Sequence, residues 1–193
     1  MILERIVPTV LSVRRLQRAD AKLIEAYGGD PAVHTALGLV TCDQDDAMYV
    51  ALDEATKQSP VDVIFAKSFY AGAAHASGRL SGEILGVIAA RDPEEIDEGL
   101  DALIRCLEHD ACFYDADGKR TVTVFPHVIA SLGEYLSKQA GLAVGTPMAY
   151  LVAPPPTETN FACAWLTGDL DACEAAAVAY AQAVVDVASA PKR

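Results

Sequence analysis

The stretch from Leu37 to Glu83 narrows the folds open to this chain more than any other. It reads Leu37-Gly38-Leu39-Val40-Thr41, then the acidic turn Cys42-Asp43-Gln44-Asp45-Asp46, a helical run from Ala47 to Ser59, and an extended run Val61-Asp62-Val63-Ile64-Phe65. Strand, helix and strand within about thirty residues predict a compact α/β unit with a right-handed crossover. Met48, Ala51, Leu52 and Ala55 recur at the spacing of one buried helix face. Asp45 or Asp46 is placed to cap that helix, and Pro60 ends it. The stretch closes on Tyr70-Ala71-Gly72-Ala73-Ala74-His75 and Ser81-Gly82-Glu83, so carboxylates stand at the mouths of two of its loops.

The rest of the chain carries the same kinds of signal. Ile6 to Leu16 reads as one strand with Pro8 near its start, and Ala19 to Tyr27 as a short helix stopped by Gly28-Gly29. Ile84 to Ala90 is a strand. Asp92-Pro93-Glu94-Glu95 is a capping box ahead of the apolar stripe Ile96, Leu100, Leu103, Ile104 and Leu107. Asp117-Gly118 is a turn between two extended runs, Ala111–Tyr114 and Thr121–Phe125, and Val128 to Lys138 is expected to be helical. Ala149 to Val152 is a strand broken by Pro154-Pro155-Pro156, Phe161 to Thr167 another, and a helix follows from Asp169 to Pro191. Strand, turn and acidic-capped helix thus occur twice, around Glu83–Leu107 and around Asn160–Ala188, as a weak internal repeat.

Charge and cysteine content exclude several classes. A formal net charge of −12 leaves no basic patch for phosphates, against both nucleic acid and anionic membrane as partners. Five scattered cysteines without Cys-x-x-Cys or His-x-x-x-His spacing predict reduced thiols and no metal site. There is no signal-peptide run and no apolar stretch of membrane-spanning length, so the expected location is cytoplasmic. The absence of Gly-x-Ser-x-Gly, P-loop and dinucleotide fingerprints predicts no catalytic residues and no cofactor.

Read in order, Leu37-Gly38-Leu39, Asp45-Asp46, Asp53-Glu54-Ala55-Thr56-Lys57-Gln58, Tyr70 to His75, Gly82-Glu83, Pro147 to Pro155, Glu158-Thr159-Asn160 and Leu166-Thr167-Gly168 resemble the tandem-domain shell proteins of the ethanolamine-utilization bacterial microcompartment, the EutL family. The resemblance runs from about Ile6 to Pro191. It implies an α/β (α+β) fold of two tandem, circularly permuted microcompartment (BMC) domains, here 1–110 and 111–193. It further implies a homotrimer forming a pseudohexamer, tiling with other shell proteins into a microcompartment facet, with pores that pass small metabolites and bind ethanolamine. In that pattern a helix and a strand separate Leu151-Val152-Ala153-Pro154-Pro155 from the Glu-Thr-Asn segment. Here the two run together, so about two dozen residues are missing and the second domain is shortened.

The ethanolamine-binding residues implied by the resemblance are Asp45, Asp46, Glu83, Phe113, Thr159, Asn160 and Phe161. Each has a plainer role beside it. The aspartates serve as helix caps, Glu83 as an exposed carboxylate, Phe113 as a core aromatic whose ring or carbonyl also suits an ammonium, and Thr159 and Asn160 as turn residues. His75 reads as solvated and His127 as structural. Two other functions are open to the same residues: a cytosolic small-amine-sensing α/β trimer, and a small enzyme using paired carboxylates.

Overall fold

The computed structural model describes residues 3–68, 83–153 and 162–190. Its elements, in order, are β1 Glu4–Ile6, β2 Val10–Leu16, α1 Ala21–Ala26, β3 Ala36–Cys42, α2 Asp45–Gln58, β4 Asp62–Ser68, β5 Ile84–Ala90 and α3 Pro93–His109. Then come β6 Phe113–Asp115, β7 Thr123–Ile129, α4 Glu134–Ala140, β8 Met148–Ala153, β9 Ala162–Thr167 and α5 Leu170–Ser189. One sheet has the order β2-β3-β5-β4 and the other β1-β6-β7-β8-β9. Because β3 and β4 are each antiparallel to the β5 strand between them, they run parallel to one another, as a strand–helix–strand unit requires.

Alternation along β3 sorts its residues between two layers. Ala36, Val40 and Cys42 join the main core with Met48 and Leu52 of α2 and Leu100 and Leu103 of α3. Leu37 packs on the opposite face with Ile24 of α1 and Val87 of β5. Helix α1 takes its N-cap from Asp20, whose side chain accepts from Lys22 N. It stops at Gly28, whose φ of +88° is open to glycine at little steric cost. Glu95 of α3 reaches back to accept from the Asp92 amide at 3.1 Å.

Three expectations are corrected. The single strand Ile6–Leu16 is two strands in different sheets, β1 against β6 and β2 against β3. Pro8, with no N–H to give a ladder, lies in the segment where the chain crosses over. The helix expected over Val128–Lys138 is instead the end of β7, which runs to Ile129, and the short α4, which starts only at Glu134. The pairing Phe125↔Val152 to Ile129↔Met148 holds that segment extended, a long-range contact that overrides local periodicity. Helix α2 also starts earlier than Ala47. Gln44 is its N-cap, and both aspartates sit inside the first turn. Of the segments that close the stretch, Tyr70 to His75 and Ser81-Gly82 lie outside the described residues.

The two sheets repeat one plan. β7, α4, β8, β9 and α5 follow the order of β2, α1, β3, β5 and α3, and the neighbours β7-β8-β9 match β2-β3-β5. Both closing helices begin at an aspartate, Asp92 and Asp169. The difference lies between the paired strands. Residues 43–83 separate β3 from β5 and include α2 and β4, whereas only residues 154–161 separate β8 from β9. The counterparts of α2 and β4 are what the shortened second unit lacks.

That loss leaves a flank uncovered among the described residues. Strand β5 is buried at most positions, whereas β9 is largely exposed, with Trp165 39% accessible. Helix α5 buries Cys173, Ala177 and Val185 but leaves Val178 at 70% and Val187 at 75%. Elements with little burial open at lower free energy than the core. In the isolated monomer, amides of β9 and α5 are therefore expected to exchange with solvent at least about tenfold faster than those of β5 and α3, a gap of at least about 1.4 kcal/mol in opening free energy. Equal protection across the four elements in hydrogen-exchange mass spectrometry would show that the flank is covered in solution.

Candidate functional site

The site grows from the end of β3. Cys42 donates its thiol to Gln44 O at 3.1 Å, within the turn that leads into α2. Asp43 ties the turn to the N-terminal segment. Its Oδ1 accepts from Thr9 N at 2.7 Å, and its own amide donates to Thr9 O at 3.3 Å. Gln44 reaches the other sheet, its Nε2 donating to Ile6 O at 3.2 Å, and Ile6 is the register partner of Phe113. The Gln44 residue is 2% exposed, and its Oε1 has no hydrogen-bond partner among the described residues. A buried acceptor left open is costly and uncommon.

Asp45 and Asp46 follow at once, and the Asp45 carboxylate accepts from the Asp46 amide at 2.9 Å. The Asp46 carboxyl turns inward, where the hydroxyl of Tyr150 on β8 donates to Oδ1 at 2.6 Å. Burial, then the neighbouring Asp45 charge, pushes the Asp46 carboxyl up to about 7, against the opposing pull of the Tyr150 hydrogen bond. The Tyr150 phenol is raised in turn, first by its own burial and then by the Asp46 charge. The Tyr150 ring makes edge contacts with Trp165 at 5.4 Å and Phe125 at 5.6 Å between centroids.

Glu83 immediately precedes β5, whose first residue, Ile84, pairs with Cys42 on one side and Ser68 on the other. It therefore stands one step beyond the last rung, beside the turn that carries Asp43 and leads to Asp45. The backbone positions of Asp45 and Asp46, just after β3, and of Glu83, just before β5, lie at one end of the four-stranded sheet. Phe113 is 0% exposed, its ring packed on Phe125 at 5.0 Å and committed to the core. Thr159, Asn160 and Phe161 lie outside the described residues.

Tyr150 and Gln44 were not picked out by sequence reasoning. Met148, Tyr150 and Val152 alternate onto one face of an apolar strand, and a phenol in such a position needs a polar partner. That signal pointed to a hydrogen bond but not to its acceptor, which is 104 residues away.

A separate open cleft of about 740 Å³ includes Arg5, Glu54, Lys57, Asp110 and His127 in its lining. Its charges are largely paired within the protein. Lys57 holds Glu54 at 2.5 Å and donates to Ser131 O at 3.2 Å, and Gln58 donates to Glu54 at 3.0 Å. Burial lowers His127 to about 4, so its imidazole is neutral at pH 7. No group of three or more metal-binding side chains occurs among the described residues.

No family model matches the sequence. The chain is 40% identical to the bacterial microcompartment shell protein EutL of Clostridium perfringens, with 95% of each chain covered. It is 38% identical to EutL of Salmonella typhimurium, with 98% of this chain and 97% of the relative covered. These alignments run over 208 and 213 positions, more than the 193 residues present here, so the relatives carry stretches this chain lacks. The crystal structure of the ethanolamine utilization protein EutL from Leptotrichia buccalis superposes with a TM-score of 0.89 at 38% identity, covering all of both chains. These relatives are named as shell and ethanolamine-utilization proteins and not as enzymes. The fold of two sheets, the order of elements and this full-length similarity agree, and the chain belongs to the EutL family of bacterial microcompartment shell proteins.

Proposed function

We propose that this shell protein assembles as a homotrimeric pseudohexamer, tiles with other shell proteins, and passes small polar metabolites through pores that bind ethanolamine. We read the chain as two BMC units, 1–110 and 111–193, with β1 of the first tied into the sheet of the second through β6. Apolar side chains left open on β9 and α5 support burial between subunits, since large uncovered apolar patches are rare on free monomers. Sedimentation at micromolar concentration is expected to give a trimer.

The observation that carries the ligand reading is the gathering of Asp45, Asp46 and Glu83 at one end of a sheet. Ethanolamine at neutral pH is an ammonium with a hydroxyl, so a selective site needs carboxylate for one end and polar groups for the other. The Tyr150 hydroxyl and the open Gln44 oxygen add polar groups beside the carboxylates. Thr159, Asn160 and Phe161 complete the proposed set from the second unit, with Phe113 offering its backbone. A ligand this small is held by at most about −6 kcal/mol, or tens of micromolar, a strength that still permits passage. In calorimetry, Glu83→Gln and Asp45→Asn are each expected to weaken ethanolamine binding by about ten- to a hundredfold, from loss of a charge-assisted hydrogen bond of about 1.5–3 kcal/mol. Equal affinity in wild type and both variants would leave the carboxylates as surface and helix-end residues.

A further inference from the structure

We propose that the Asp46–Tyr150 pair makes the amine site a proton exchanger, in which an alkylammonium entering beside Asp45 expels a proton held on the Asp46 carboxyl. This inference rests on the amine-binding reading above and names how that site is controlled. Tyr150 is its positioning residue: the hydroxyl fixes one oxygen of Asp46 at 2.6 Å and leaves the other for the proton or the incoming cation.

The geometry carries the argument. Two carboxylates occupy successive positions at one helix start, and the second is turned inward onto a phenol that is only 4% exposed. Like charges this close, one of them half-buried against a phenol, are not both ionised at low cost. The groups acting on the Asp46 charge are Asp45 on its own helix and Tyr150 on β8. Asp46 in turn acts on Tyr49 of α2 and Cys163 of β9. None of the four is basic. Tyr49, Tyr150 and Cys163 all have raised values and are neutral at pH 7, burial being the first cause in each. Among the described residues no basic side chain acts on Asp46, so a proton is the counter-charge it takes before a cation arrives, and the raised value of its carboxyl agrees. The unpaired Gln44 oxygen, on the neighbouring residue, is a neutral acceptor left open in the same turn.

The exchange balances. The ammonium enters with all its protons, the Asp46 O–H bond breaks, the proton goes to buffer, and the carboxylate left behind accepts an N–H from the ligand. Net charge in the site is unchanged, so a cation enters a partly dry pocket without leaving an unpaired charge there.

The test is calorimetry of the full-length protein with ethanolamine hydrochloride at pH 6.5, in phosphate and in ACES, a zwitterionic buffer that offers no free alkylammonium to compete for the site. These buffers differ widely in ionisation enthalpy. Release of about half a proton or more per ligand is expected, read from the difference in apparent heat. Asp46→Asn is expected to abolish that difference and to weaken binding, leaving saturable heats through Asp45 and Glu83. Tyr150→Phe removes a hydrogen bond that favours the ionised carboxyl, so the pH of maximal release moves upward; a merely structural role for Tyr150 would not move it. In parallel, an infrared band of a protonated carboxyl should be present in the free protein, diminish on adding ethanolamine, and be missing from Asp46→Asn. Saturable heats identical in both buffers would overturn the exchange while leaving the amine site standing. The lack of any saturable heat would overturn both.

Discussion

Asp53→Ala is expected to lower the free energy of unfolding by about 3–5 kcal/mol, among the largest losses available to a single substitution in this chain. Asp53 is 0% exposed, and its carboxylate lies at the join of the two halves. Oδ2 accepts from Gly133 N and Oδ1 from Leu136 N, each at 2.8 Å. One turn on, Thr56 Oγ1 accepts from Glu134 N at 3.0 Å and donates to Asp53 O at 2.8 Å. Side chains of α2 therefore satisfy three amides at the start of α4 that the helix itself leaves open. Alanine strands two buried amides, each costing about 1–3 kcal/mol, and removes a negative charge from a helix start. Asn at the same position keeps one acceptor but aims an NH₂ at the second amide, so about half the loss is expected.

Gly133→Ala attacks the same join from the other side. An added Cβ would meet Asp53 O and Thr56 Oγ1 at 2.6 Å, so the helices must part. Glycine is needed here for close approach and not for backbone freedom, because its φ of −81° is open to any residue. Urea titrations at pH 7 should show both variants unfolding at markedly lower denaturant than wild type. A loss below about 1 kcal/mol for both would mean the two halves hold together without this contact.

The elements legible in the sequence were those whose own periodicity decides them. Helix α3 shows its capping box and apolar stripe in eighteen consecutive residues, Asp92 to His109, and β3 and β5 are continuous apolar runs. What was misread is set by partners far along the chain. Val128 and Ile129 are extended because β8 pairs with them, and α4 starts at Glu134 because Asp53 and Thr56 hold its amides. The use of the N-terminal segment in two sheets could not be read from Ile6–Leu16, since both pieces are good strand sequence. The same limit applies to the site. Asp45, Asp46 and Glu83 stand out as carboxylates at loop mouths, whereas Tyr150 reads as one more core aromatic until β8 is laid beside the start of α2.

At pH 8, Asp46→Asn is expected to be more stable than wild type by about 2–4 kcal/mol, and at pH 4 about equal to it. The sign follows from the direction of the shift. Burial and the Asp45 charge raise the folded-state value from 3.8 to about 7, so between those limits the folded chain binds the proton that the unfolded chain releases. Stability from this group is thus fully present at low pH, declines as pH rises from about 4 to 7, and is lost above 7. Moving the carboxyl from 3.8 to about 7 corresponds to at most about 4 kcal/mol, less to the extent that Asp45 shares the proton. Asparagine keeps an acceptor for the Tyr150 hydroxyl while carrying no charge, so the cost of ionising Asp46 in a desolvated position disappears. Denaturant unfolding at four or five pH values reads the outcome directly. Wild-type and Asp46→Asn curves running parallel with pH, or a variant less stable at pH 8, would show that the carboxyl ionises at its ordinary value. On the proposed amine-binding reading, that lost stability is what a carboxyl able to ionise beside an incoming cation costs the fold.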